Sequence, residues 1–155
     1  MRIVVAVVGK PRDASGLADA IHDYETRAAR YWPLDVREVR DESGRSLSTE
    51  QVRNREAERL AAVLPAGAHV VACELDGVTM TSEAFAEWVQ RRREDAKDLA
   101  FVIGGAHGIG EGIRSVTNTR LSLASWTLPH ELARLVLAEQ LYRAGTIVRR
   151  EPYHK

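Results

Sequence analysis

A chain of 155 residues fits one domain around a single core, and a composition 45% hydrophobic and 28% charged is that of an ordinary soluble globular protein. Its 22 basic and 22 acidic residues leave no formal charge, so no overall field draws it onto DNA, RNA or a membrane surface. Any polyanion site must be a local patch, and no stretch approaches the roughly 20 apolar residues of a membrane span.

Met1 to Val8 has the apolar character of a secretory leader, but it is too short and Gly9-Lys10-Pro11 offers no cleavage site. Ile3 to Val8 therefore reads as a first strand, whose continuous β-branched run implies cover on both faces. Helical spacing of Leu17, Ile21, Tyr24 and Ala28 predicts a helix from Ala14 to Tyr31, ended by Pro33. Leu34 to Val39 alternates apolar and charged residues, as suits a strand near a sheet edge. After a turn-rich loop, Ser48-Thr-Glu-Gln51 has capping-box spacing and opens a helix to about Leu64.

A third strand, His69 to Leu75, is closed by Asp76-Gly77 and contains the single cysteine, Cys73. Its apolar setting predicts an inert thiol, and one cysteine allows no disulfide within the chain, which fits a reducing cytoplasm. Ser82 to Glu94 predicts a third helix with Arg91, Arg92 and Arg93 near its end. Those cations either complement the helix dipole as a solvated terminus or form a patch facing RNA. Leu99 to Ile103 is a fourth strand, about Arg120 to Ala124 a fifth, and Pro129 to about Ala144 a last helix. Strands alternating with helices make an α/β domain with a mainly parallel sheet flanked by helices, residues 1–155 forming one unit. The last helix is apolar almost all round (Leu132, Leu135, Val136, Leu137, Leu141), so a second face is expected to pack on another copy in a homodimer.

The glycine-rich loop Gly104-Gly-Ala-His-Gly-Ile-Gly-Glu-Gly112 first suggests a phosphate cradle. The dinucleotide fingerprint fails, because Gly108-Ile-Gly110 is followed at the required place by Ile113, and the Walker ending is absent. The five histidines are scattered without paired metal-ligand spacing, so no metal is expected, and no G-x-S-x-G elbow occurs. Glu139 and Arg143 stand at i,i+4, as an intrahelical pair or as part of a site. What survives is a cleft at the carboxyl ends of strands three, four and five, lined by Leu75, Ile103 and Leu123 to Leu128. Apolar side chains and exposed main-chain amides suit a flat, neutral heteroaromatic ring such as adenine.

Val102-Ile-Gly-Gly105 with Gly108, then Leu121-Ser-Leu123 leading to Thr127-Leu-Pro-His130, resembles the signature of the SPOUT methyltransferases. The Ala6-Val-Val-Gly9 start, the run Glu139 to Arg143 and the Pro152-Tyr-His-Lys155 ending narrow the likeness to the bacterial large-subunit ribosomal RNA pseudouridine N3-methyltransferases. It covers essentially the whole chain, strongest after Leu99 and weak between Asp41 and Leu64. The resemblance implies a deep carboxyl-terminal trefoil knot, which pattern reading alone would draw as an unknotted sheet. It also implies S-adenosylmethionine held by Leu75, Gly104, Leu123, Ala124, Ser125, Trp126, Thr127 and Leu128, with Ser125-Trp126 this chain's own variation. A homodimer, an active-site tail of Tyr153, His154 and Lys155, and action on the assembled ribosome complete the implication.

In that reading the methyl goes to N3 of a pseudouridine. His154 takes the ring proton, or alternatively stacks on or hydrogen-bonds the base. Tyr153 packs on the base or holds the tail. Arg143, with Arg134 as a second candidate, holds a phosphate or anionic ring oxygen, and Glu139 orients the guanidinium. The rivals are a SPOUT enzyme acting on transfer RNA, a nucleotide-cofactor oxidoreductase, and a non-catalytic ribosome-associated module.

Overall fold

The computed structural model describes residues 1–154. Five strands form one all-parallel sheet in the order β2-β1-β4-β3-β5: β1 (Ile3–Val8), β2 (Leu34–Val39), β3 (His69–Val78), β4 (Leu99–Ile103) and β5 (Thr119–Leu121). β1 and β4 lie inside the sheet and are buried at every residue, as their unbroken apolar runs require, while the alternating β2 takes an edge.

The helices are α1 (Ala18–Ala28), α2 (Thr49–Ala62), α3 (Ser82–Glu94), α4 (Glu111–Arg114) and α5 (His130–Val148). On one face α5 lies between α1 and α3, packing Leu137, Leu141 and Ala144 with Trp32, Phe85 and Val89 against Val5, Phe101 and Ile103. On the other, α2, α4 and the loop before α4 set Ala57, Leu60, Ile113 and Ile109 against Ala6, Val8, Ala72 and Val102. α2 begins at the expected capping box: the Gln51 amide donates to Ser48 Oγ at 3.1 Å and the Ser48 amide to Gln51 Oε1 at 2.8 Å.

The chain departs from its sequence reading at several boundaries. The first helix is shorter, a single 3-10 turn at Asp13–Ser15 preceding α1, and it stops at Ala28 so that Trp32 can turn into the core. There the Trp32 indole N–H donates to the Leu141 carbonyl at 2.8 Å. β3 does not close at Asp76-Gly77 but shifts register and runs on to Val78. Only glycine fits at position 77, because a Cβ there would lie 2.6 Å from the backbone of Arg120 and Leu121. β5 ends at Leu121, after which residues 122–129 leave the sheet as a loop, and α5 continues past Ala144 to Val148. The short α4 lies inside a segment that its glycines made read as loop throughout.

Candidate active site

The cleft expected at the carboxyl ends of the strands exists. Leu75 from β3, Gly104 after β4, and Thr127 and Leu128 before α5 line a cavity of about 430 Å³. An adjoining hollow of about 110 Å³ is bounded by Leu75, Leu123, Ala124, Trp126, Thr127 and Leu128. Seven of the eight residues expected to hold the cofactor therefore converge, from positions more than 50 apart in the chain, and Ser125 lies exposed at the loop tip outside both linings. The glycine loop folds tightly back on itself: a Cβ at Gly104 would stand 2.6 Å from the Gly108 carbonyl oxygen. The 122–128 loop is held in shape by Ser122, whose amide donates to the Val78 carbonyl at 2.9 Å and whose hydroxyl donates to the Ala124 carbonyl at 2.8 Å.

Cys73, Glu74, Ile109, His130 and Ala133 also line the cleft. Only the fold brings them there, although Cys73 stands two residues from Leu75 on the same strand. Burial, with Glu74 adding, pushes the Cys73 thiol up to about 12, so it is an inert wall as expected. The lining sets apolar Leu75, Ile103, Ile109 and Leu128 beside Glu74, Asp76, Arg114 and His130. The apolar part of that lining fits a flat adenine ring. Leu75, half-exposed at 54%, and Trp126, at 81%, are large apolar side chains left open beside it.

The tail groups also meet, at the other end of α5. Glu139 Oε1 receives Arg143 Nη2 at 2.6 Å, Arg143 Nε at 3.0 Å and the Tyr153 hydroxyl at 3.0 Å. The Arg143 guanidinium lies 4.8 Å from the Tyr153 ring centroid. Burial, then hydrogen bonds with Tyr24 and Glu139, raises the Tyr153 hydroxyl well above its ordinary value, so it stays protonated. His154 Nδ1 is 3.2 Å from Arg143 Nη1, and its Nε2 is 2.7 Å from Glu83 Oε1. Lys155, the last residue of the expected tail, lies outside the described residues. The i,i+4 pair is thus part of a larger polar cluster.

Several arginines that the sequence offers as RNA contacts make contacts within the protein. Arg134 is 6% exposed and pairs with Glu25 at 2.6 Å and Glu38 at 3.4 Å, so it is a buried strut and not a phosphate ligand. Arg93 stacks on Trp32 at 4.9 Å and donates to the Tyr31 carbonyl, Arg92 lies over Trp88 at 5.3 Å, and Arg91 pairs with Glu87. The run therefore ends α3 with Arg92 and Arg93 stacked on tryptophans and Arg91 exposed at the helix surface. Arg114 and Arg120 converge on Glu74, at 2.8 and 2.9 Å, beside the cleft. Asp76, hydrogen-bonded by Arg120, is held below the usual carboxylate range.

Residues 1–154 match the family model described as "Predicted SPOUT methyltransferase". The chain is 66% identical over 155 residues to the Ribosomal RNA large subunit methyltransferase H of Gemmatimonas aurantiaca, covering all of both chains. It is 47% identical to the protein of the same name in an Anaeromyxobacter species, again over all of both, and 39% identical to that of a Geobacter species over 99% of each.

Proposed function

The chain belongs to the SPOUT methyltransferase family, and from that premise we propose that it methylates N3 of a pseudouridine in large-subunit ribosomal RNA, on the assembled ribosome and as a homodimer. Membership brings the trefoil knot with it and makes S-adenosylmethionine the methyl donor, which removes the oxidoreductase and non-catalytic readings. What supports the ribosomal substrate is the 66% identity, end to end, with a large-subunit ribosomal RNA methyltransferase. A ribosomal substrate in turn implies a cytoplasmic address.

When bound, the cofactor supplies an electrophilic methyl group on a sulfonium. Leu75, Gly104 and Leu123 to Leu128 would hold it. The chain's own task is to expose N3 as a nucleophile and align it, since a ring imide nitrogen attacks only once its proton has left.

Tyr153, His154, Arg143 and Glu139 are the groups for that task. From His130, at the cleft, to Arg143 is thirteen residues along α5, about 20 Å at 1.5 Å per residue. A chain's own tail therefore stands away from its own cleft, and a second copy is the natural source of the tail that completes it. Leu132, Leu135 and Val136, only half-buried on α5, supply an apolar face for that copy. In the completed site Arg143, oriented by Glu139, steadies the anionic ring, Tyr153 packs on the base, and His154 takes the N3 proton or holds the base by a hydrogen bond.

The test is to incubate the protein with labelled S-adenosylmethionine and ribosomes from a strain lacking the activity, then identify nucleosides by mass spectrometry. Methylated pseudouridine in large-subunit RNA is expected. Label appearing in transfer RNA instead would overturn the substrate assignment.

A further inference from the structure

A second cavity, of about 440 Å³, adjoins the cofactor cleft and shares Gly105, Ala106 and His130 with it. Its remaining walls come from the end of β1, the loop after β2, and α2. None of the residues expected to bind the cofactor or act on RNA lines it.

Paired and unpaired polar groups meet in this cavity. Most cations near a carboxylate are paired with it, and two pairs of that kind sit here too: Arg12 with Glu131 at 3.4 Å and Arg59 with Glu42 at 2.7 Å. Lys10, His107, His130 and Asp41, by contrast, have no hydrogen-bond or ion-pair partner among the described residues. Glu56, 3% exposed, completes the set. Its Oε2 accepts from the Glu42 amide at 3.1 Å, while Oε1 is buried without a partner. A buried acceptor left unpaired costs about 1–3 kcal/mol, so such groups mark places where something else belongs.

The mixture of unpaired donors and acceptors selects the occupant. A phosphate would gain Lys10 but face Asp41, Glu42, Glu56 and Glu131. A purely apolar ring would leave both kinds of polar group unanswered. A pyrimidine imide presents two carbonyl acceptors and N–H donors around one small flat ring, and it matches such a lining edge for edge. We propose that this cavity receives the acceptor pyrimidine base, with Lys10 and His107 as specificity-determining residues that donate to its carbonyl oxygens. The assignment rests on the reading above, that the chain methylates an RNA pyrimidine with its cofactor in the neighbouring cleft.

The chemistry then runs where the two cavities meet, beside Gly105, Ala106 and His130. The N3 proton leaves the ring to a base or solvent, and the resulting negative charge spreads onto the two carbonyl oxygens. The N3 lone pair forms the new N–CH3 bond while the C–S bond breaks, its electrons staying on sulfur. A lysine ammonium beside one oxygen stabilises the ring anion most strongly in this step, where a neutral side chain would not.

Lys10 and His107 are exposed and line this cavity but not the cofactor cleft, so substituting them leaves the core and the cleft untouched. Lys10→Ala and His107→Ala should each lower kcat/KM for ribosomes at least tenfold. Affinity for S-adenosylhomocysteine by calorimetry should stay within about threefold of wild type, and Lys10→Arg should recover most of the loss. Wild-type kcat/KM in both alanine variants overturns the assignment. So does an equal loss of cofactor affinity, which would make the cavity the seat of the cofactor's amino-acid end. If the wild-type protein methylates transfer RNA and not ribosomes, the substrate reading fails separately, and the same variants are judged on that RNA.

Discussion

Arg143 sets its Nη1 3.2 Å from Nδ1 of His154. An arginine has no lone pair to offer, so the imidazole must accept at Nδ1 and carry its proton on Nε2, where it donates to Glu83 at 2.7 Å. The Glu83 side chain is 60% exposed, and an exposed pair of this kind is weak enough for RNA to displace. A displaced His154 would present an N–H, not a lone pair. Glutamine can supply that donor but cannot take a proton. His154→Ala should slow methyl transfer about 10²-fold with unchanged cofactor affinity. His154→Gln should stay within about tenfold of wild type if hydrogen bonding is the role, and match the alanine variant if general-base catalysis is. Single-turnover rates on ribosomes separate the two.

Arg134 gives the opposite expectation. Its guanidinium is buried between Glu25 and Glu38, so its removal strands carboxylates that it now compensates. Arg134→Met should cost about 3 kcal/mol of stability, near the low end for a broken buried pair because Glu38 is partly solvated. Methylation per folded molecule should stay at the wild-type level. A selective rise in KM for ribosomes with unchanged stability would instead place Arg134 at the RNA.

The distinction between Arg134 and Arg143 marks how far the sequence could be read. Strand runs such as Ile3 to Val8, the Ser48-Gln51 cap and the cleft-lining loop are local patterns, and each appears where its pattern put it. Which arginine meets a carboxylate depends on partners 40 or 109 residues away, as for Arg114 with Glu74 or Arg134 with Glu25. The bulge at Gly77 is invisible for the same reason: Asp-Gly is a good turn, and only the crossing backbone of Arg120 and Leu121 makes it a bulge. The cavity around Lys10 and His107 joins five separate segments, none with a motif of its own.

Glu56 makes stability depend on pH. Burial raises its carboxyl above the ordinary carboxylate range, with nearby Asp41 adding and the Glu42 amide, His107 and Arg59 opposing. The folded state therefore holds this proton more tightly than the unfolded chain. The stability that the group contributes is full below the unfolded value and is lost as pH rises through the folded one. Glu56→Gln keeps the shape and the acceptor for the Glu42 amide but cannot ionise. The variant should gain stability relative to wild type as pH rises from acid to neutral, by denaturant midpoint at each pH. A stability difference that does not vary with pH would show that Glu56 does not titrate in that interval.

Gly104 gives the sharpest test of where the cofactor sits. A single methyl at this position would approach the Gly108 carbonyl oxygen to 2.6 Å and the Ile109 side chain to 3.0 Å, so the loop must open to admit it. The same loop backbone lines the cleft with Leu75 and Leu128, and opening it reshapes that wall. Overpacking of this kind costs about 1–3 kcal/mol in stability. Gly104→Ala should therefore lower the thermal midpoint modestly while weakening S-adenosylhomocysteine binding at least tenfold by calorimetry. Gly67→Ala calibrates the comparison, because Gly67 also tolerates no side chain easily, at φ +73°, but lies outside the cleft with open space around it. It should lose stability without losing affinity. Equal affinity losses in the two variants would mean that Gly104 acts on binding only through stability, and the cofactor would have to be sought away from the glycine loop.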